Sequence, residues 1–129
     1  MNNHASSEDY LETILILKNK MPLVRAIDIA NEMNFSKPSV SIALKKLKDK
    51  GLIIVDSHTG NIEFTSDGHN IAKSVLDKHE VISSCLMALG VTKEVALEDA
   101  CKLEHDLSEE SFSKLKEFYL NNLKTTQNK

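Results

Sequence analysis

A thiol, a carboxylate and an imidazole fall within five residues at Cys101-Lys102-Leu103-Glu104-His105. If this stretch is helical, a rotation of about 100° per residue puts Cys101, Glu104 and His105 within roughly a 100° arc. One face then offers sulfur, oxygen and nitrogen to the same point in space. Such a mixed set suits a borderline divalent transition metal, whereas Mg²⁺ or Ca²⁺ would want oxygen alone. Three donors do not close a site, so partners must come from elsewhere in the chain. The residue types alone also admit a plainer reading, in which Cys101 is a small buried hydrophobe and Glu104 and His105 coat a solvated face. Catalysis has less behind it. Cys101 and His105 sit on consecutive turns with no evident oxyanion donors, so the chain is not expected to be an enzyme.

What must position this cluster is a chain of 129 residues, 41% apolar and 27% charged, without tryptophan and poor in aromatics. That composition fits a mainly α protein with an aliphatic core, in one domain or two small lobes. The expected division is residues 1–70 and residues 71–129. No apolar run approaches the roughly 18 residues of a membrane span. The polar, acidic start lacks the pattern of a signal peptide. Two cysteines without CxxC spacing suit a reducing cytoplasm better than a disulfide framework. A net charge of −3 argues against a polycation that coats nucleic acid, but not against a local basic surface.

The first helix is expected from Ser6, with Asp9 three residues on in a capping-box-like pairing, to about Asn19. Tyr10, Leu11, Ile14, Leu15 and Leu17 form its apolar stripe, and Asp9 and Glu12 share the other face. Acids in a first turn are favoured by the helix dipole alone. Met21-Pro22-Leu23 interrupts, and Arg25 to Met33 forms a second helix. After Asn34-Phe35, Ser36 caps a third helix from Lys37 to Lys50, where Pro38 is tolerated in the first turn. Two short helices joined by a tight turn describe a helix-turn-helix.

Five lysines (Lys37, Lys45, Lys46, Lys48, Lys50) face one acid, Asp49, along the third helix of a chain that is acidic overall. Short or cationic side chains at Ser36, Lys37, Ser39 and Ser41 leave room for base edges and phosphates. Gly51 ends the helix, and Leu52–Val55 and Ile62–Phe64 read as strands around an Asp56–Asn61 turn. A helix-turn-helix followed at once by a small hairpin is a winged helix. Arg25, Ser36, Lys37, Ser39, Ser41, Lys45, Lys46 and the wing-tip His58 are its candidate DNA contacts. A helix from Ser66 to about Leu89 links this lobe to the next. The cluster helix is expected from Thr92 to about Leu107, a last one follows Ser108, and a polar, frayed tail is expected from Lys124. Apolar faces around Leu86 and Phe118 exceed what three helices can bury, which points to a twofold partner.

With these residues placed, the sequence resembles the diphtheria-toxin-repressor and manganese-transport-regulator family of metal-activated repressors. The likeness spans residues 7–123 and rests on an ordered set. This comprises Glu8-Asp9-Tyr10-Leu11-Glu12, Phe64-Thr65-Ser66-Asp67-Gly68, Lys78-His79, and Asp99 through His105 with Leu107-Ser108. It implies an N-terminal winged helix-turn-helix plus a C-terminal helical dimerisation lobe. It also implies metal ligands at Asp9, Glu12, His79, Cys101, Glu104 and His105. Iron-type members resemble this chain in having cysteine at position 101, where manganese-type members usually carry glutamate. Asp9 with Glu12, however, is the manganese-type arrangement. The second iron-type site wants a carboxylate near position 83 and a histidine near 97, where this chain has Ser83 and Leu97. The SH3-like domain of longer iron-type members is not expected.

The resemblance therefore implies a cytoplasmic repressor that binds palindromic double-stranded operator DNA as a homodimer when Fe²⁺ or Mn²⁺ is bound, controlling metal uptake genes. Co²⁺ and Zn²⁺ are expected to substitute in vitro. No membrane and no small organic substrate are expected. The rival reading is a metal-independent winged-helix regulator.

Overall fold

A computed structural model describes residues 6–124 of the chain. The expected tail beyond Lys124 lies outside the described residues. The fold is mainly α, with six α-helices and one two-stranded sheet among the described residues. It divides into two compact units, and the boundary between Ser74 and Val75 falls inside one long helix.

In the first unit, α1 (Ser7–Lys18) starts as expected. The Ser6 hydroxyl accepts the Asp9 backbone N–H, and the Asp9 carboxylate accepts the Ser6 N–H. Two otherwise orphaned donors are thus satisfied reciprocally. Helix α2 (Ala26–Met33) follows, and Asn34 stops it in the left-handed conformation, φ 57°. The Phe35 N–H reaches back to the Ala30 carbonyl at 3.1 Å, closing the turn. Asparagine is among the few L-residues that enter this region readily. Helix α3 (Lys37–Asp49) is capped by Ser36, whose hydroxyl accepts the Ser39 N–H, with Pro38 in the first turn.

The wing is an antiparallel pair, β1 (Ile53–Val55) and β2 (Ile62–Phe64), with Ile54 opposite Glu63. Its position is fixed from two sides. Before α2, the Val24 carbonyl accepts the Ile62 N–H at 2.8 Å, and the Val24 N–H donates to the Asn61 side chain at 3.0 Å. Val24 is thus tied to β2 by one backbone hydrogen bond and to the residue before that strand by an amide side chain. At the end of α1, the Lys18 ammonium donates to the Ile62 carbonyl at 2.7 Å and pairs with Glu63 at 3.2 Å. Leu11, Ile14, Ile29, Val40, Leu47, Ile53 and Ile62 are buried in this unit.

Helix α4 (Ser66–Ala88) leaves the wing through a tight junction. The Thr65 hydroxyl donates to the Gly51 carbonyl and accepts the Gly68 N–H. A Cβ on Gly68 would lie 1.8 Å from the Leu52 carbonyl oxygen, so only glycine fits.

The second unit comprises the later part of α4, then α5 (Lys93–Leu103), α6 (Glu109–Phe118) and a π-helical turn, Tyr119–Lys124. Val81, Cys85, Phe112 and Tyr119 form its core, with Leu115 and Leu123 packed against them. Lys116 and Asp77 join α6 to α4 at 2.6 Å, and Lys78 pairs with Glu109 at 3.2 Å while lying over the Phe112 ring. No helix among the described residues is long and apolar enough to cross a membrane.

One expected element is shorter than its sequence suggests. The cluster helix stops at Leu103 rather than near Leu107, and Glu104 sits at its end. Ser108 must be extended, at φ −68° and ψ 159°, to cap α6. The chain therefore turns between Glu104 and Asp106, with the Asp106 and Leu107 N–H groups sharing the Leu103 carbonyl. The last helix likewise widens to π geometry from Tyr119 instead of continuing as α.

Candidate metal centre and nucleic-acid interface

The second unit brings four of the expected donors together. His79 projects from α4, Cys101 from the last turn of α5, and Glu104 and His105 from the turn that ends it. His79 Nδ1 lies 3.1 Å from Glu104 Oε2 and 3.9 Å from Cys101 Sγ. His79, Cys101 and Glu104 each present a ligand atom within 4.8 Å of the others. One ion with bonds of about 2.0–2.3 Å separates its ligand atoms by roughly 3–4 Å, so the spacing suits a shared cation. His105 Nε2 stands 3.6 Å from the other Glu104 oxygen, Oε1. The single-face helix expected for Cys101, Glu104 and His105 is corrected by this turn. Cys101 and Glu104 keep their helical relation, but His105 reaches the cluster from beyond the helix end.

Glu104 is the unusual member. Its side chain is wholly buried, and Oε1 accepts no hydrogen bond among the described residues. A buried carboxylate oxygen left so costs about 1–3 kcal/mol, more when charged. Beside it lie a partly buried imidazole and an exposed thiol. The donor set and the orphaned oxygen both fit a divalent transition metal. By contrast, burial among apolar side chains pushes the Cys85 thiol up, so this second cysteine is a core residue.

Asp9 and Glu12 belong to the first unit, in the opening turns of α1. The purely solvated face that first-turn acids usually occupy does not describe them, since Glu12 is buried and Asp9 half-buried. One Asp9 oxygen is engaged in the helix cap. Burial first, and then the Asp9 carboxylate, raise the pKa of the adjacent Tyr10 phenol. At the two positions where a second iron-type site would need ligands, Ser83 is buried and donates to the Glu80 carbonyl, and Leu97 is apolar.

The candidate DNA contacts all lie on the surface of the first unit: Arg25, Ser36, Lys37, Ser39, Ser41, Lys45, Lys46 and His58 are exposed. Val40, Leu44 and Leu47 bury the opposite side of α3. Their availability differs. Ser36 and Ser39 are hydrogen-bonded to one another at 2.9 Å within the cap, and Lys45 pairs with Asp49 at 3.1 Å. Lys45 and Lys48, with Ser41, Leu44 and Val55, line a cleft of about 260 Å³ between α3 and the wing. Arg25 opens α2, its N–H bound by Asp28, and its side-chain stem lies beside Gly60 of the wing turn. His58 is held at the wing tip because Asp56 Oδ1 accepts the N–H groups of both His58 and Thr59. Sequence reasoning passed over Ile42, which stands exposed on the outward side of α3, and Lys18, whose role as a clamp on β2 has no local signal.

Comparison with known proteins agrees with this architecture. Residues 4–60 match the iron dependent repressor N-terminal DNA binding domain, and residues 65–127 match the iron dependent repressor metal binding and dimerisation domain. An uncharacterised HTH-type transcriptional regulator of Methanocaldococcus jannaschii is 38% identical over 88% of this chain and 91% of its own length. The transcriptional regulator MntR of Escherichia coli is 32% identical over 86% of the chain and 71% of its own length. Among solved structures, the manganese regulator SloR superposes with a TM-score of 0.78 at 32% identity, over 92% of this chain and 54% of its own. The metal-dependent transcriptional regulator MtsR superposes at 0.81 with 26% identity, over 88% and 53%. The chain thus spans about half the length of these solved relatives. These matches define a metal-responsive transcriptional regulator with a helix-turn-helix, not an enzyme. The chain belongs to the iron-dependent repressor family.

Proposed function

We propose that this chain is a cytoplasmic repressor that binds palindromic operator DNA as a homodimer when Fe²⁺ or Mn²⁺ occupies the site around Glu104, and so controls metal-ion uptake genes. The observation that carries the metal reading is the buried Glu104 Oε1 without a hydrogen-bond partner among the described residues, beside imidazole and thiol donors. The ligands are His79, Cys101, Glu104 and His105, joined by Asp9 and Glu12 of α1 as the family resemblance implies. A bound cation supplies the positive charge that lets several carboxylates and a thiolate share one point. Cys101 biases the set toward Fe²⁺, Co²⁺ and Zn²⁺ relative to a site with a third carboxylate, because thiolate is the softer donor.

Engagement of Asp9 and Glu12 fixes α1, and with it the wing that Lys18 holds. The two recognition helices of the dimer then sit at the spacing of successive major grooves, roughly 34 Å or a multiple of it. Without the ion, the carboxylates repel one another and that geometry is only fractionally populated. In the second unit Leu89 and Phe118 are large exposed apolar side chains, 82% and 52% accessible, and they suit the dimer interface. Lys37, Lys45 and Lys46 supply phosphate contacts along α3, while Ser41 approaches the bases.

The test is operator binding by the full chain under anaerobic Fe²⁺, Mn²⁺, Zn²⁺ and chelator, read by mobility shift. Metal is expected to tighten binding by about 5–150-fold, the usual range of such couplings. Equal affinity with and without metal would leave a metal-independent winged-helix regulator instead.

A further inference from the structure

The outward side of α3 carries one feature that phosphate binding does not use. Ile42 is 60% exposed in the middle of an otherwise polar and basic helix. It lies two residues from both Val40 and Leu44, about 200° around the helix from each, so it points away from the core that they enter. Its neighbours on the helix surface, three and four residues away, are Pro38, Ser39, Lys45 and Lys46. A branched aliphatic side chain is thus ringed by two lysines on the next turn and by small or rigid residues on the turn before. Leaving it in water gains nothing for the fold, since helix propensity would favour alanine or a charged residue there.

We infer that Ile42 reads the 5-methyl group of a thymine in the major groove, making it a specificity-determining residue of the recognition helix. The inference rests on the DNA-binding reading above. Of the apolar groups that base pairs present in the major groove, the thymine methyl is the bulky one, cytosine offering only a C5 hydrogen there, and it is recognised by apolar contact. Lys45 and Lys46 flank Ile42 with positive charge, so the same approach that brings a phosphate to each lysine brings Ile42 to the base edges between them. Ser36 donates to the Ser39 hydroxyl, which ties both serines to the start of the helix and leaves Ile42 as the large apolar side chain on this turn that can distinguish bases by contact.

Duplexes bound by the metal-loaded full chain are selected from a random pool, and each thymine of the recovered half-site is then replaced in turn by deoxyuridine, which removes only the methyl. At one symmetric position, this replacement should weaken wild-type binding by about four-fold in one half-site and about fifteen-fold in both, the effect of uncovering one methyl each time. Ile42→Ala, which suits an exposed helix position, should bind the thymine duplex more weakly and show no response to deoxyuridine. Ile42→Gln should, on reselection, exchange that thymine for adenine, the base whose edge an amide matches. The inference is overturned if no deoxyuridine position affects the wild type, or if Ile42→Ala loses by the same factor as the wild type at the sensitive one. Failure to recover any bound duplex with any metal would remove the DNA reading itself, and this inference with it.

Discussion

Two charged side chains, one in each unit, are withdrawn from water, and their partners could not be more different. Lys18 directs its ammonium at the Ile62 carbonyl, 2.7 Å away, and at Glu63, 3.2 Å away. Glu104, wholly buried, has one oxygen 3.1 Å from His79 and the other without a hydrogen bond among the described residues. Lys18 is complete as it stands and serves to hold the wing. Glu104 is incomplete, and its nearest neighbours are donors of the kinds that ligate transition metals. A buried charge whose hydrogen bonds are all in place is architecture; one with an oxygen left without a hydrogen bond, among imidazole and thiol donors, marks a place for a ligand.

Substitutions at these two residues separate the roles. With a divalent ion at about one hundred times its dissociation constant, the wild type should gain about 2.7 kcal/mol over the chelated protein in chemical denaturation. Glu104→Gln, which keeps shape but loses the charge, should gain nothing. An undiminished increment in that variant would make Glu104 merely structural. Lys18→Met should cost about 1–2 kcal/mol, the partly exposed position keeping the loss small, and the loss should be the same with metal and with chelator. Dependence of that loss on metal would blur the contrast, because the clamp on β2 would then differ between the metal-loaded and chelated protein.

The smallest expected effect concerns the wing tip. The Thr59 and His58 backbone N–H groups, in that order of effect, lower the pKa of the Asp56 carboxyl. A carboxyl that titrates lower when folded contributes its full stabilisation above its unfolded pKa, about 3.9, and loses it as pH falls through the folded value. Protection of the His58 and Thr59 amides from exchange, taken relative to the intrinsic rate at each pH, should therefore fall selectively below about pH 4, and Asp56→Asn should abolish that pH dependence. An unchanged pH profile in the variant would assign the acid response to another group.

Much of the first unit was legible because its signals are local. Ser6 with Asp9, Ser36 with Pro38, and Gly51 before a β-branched run each state a boundary in a few residues, and each boundary is where those residues place it. The alternation in Ile62-Glu63-Phe64 marks β2 as a strand, and its register with β1 comes from the structure. What was not legible depends on contacts distant in sequence. Nothing near Val24 announces that it pairs with Ile62, nor near Lys18 that it reaches β2. The helix through Cys101 ends early although Lys102, Leu103 and Glu104 all favour helix, because the cap of the next helix at Ser108 demands an extended residue. That stop brings His105 to the cluster from the turn. The donor types were readable, then, but their geometry was not. The burial of Glu12 is of the same kind, since the amphipathic pattern of α1 put it on the polar side.

The central claim, that Cys101 and its neighbours ligate one divalent cation, is tested most directly by titrating the reduced protein anaerobically with Co²⁺ and following its absorption spectrum. Coordination by the Cys101 thiolate predicts a sulfur-to-cobalt charge-transfer band that saturates, is lost in Cys101→Ser, and is lost or markedly weakened in Glu104→Gln. Persistence of the same band in Cys101→Ser, or its absence from the wild type at saturating Co²⁺, would contradict the site described here.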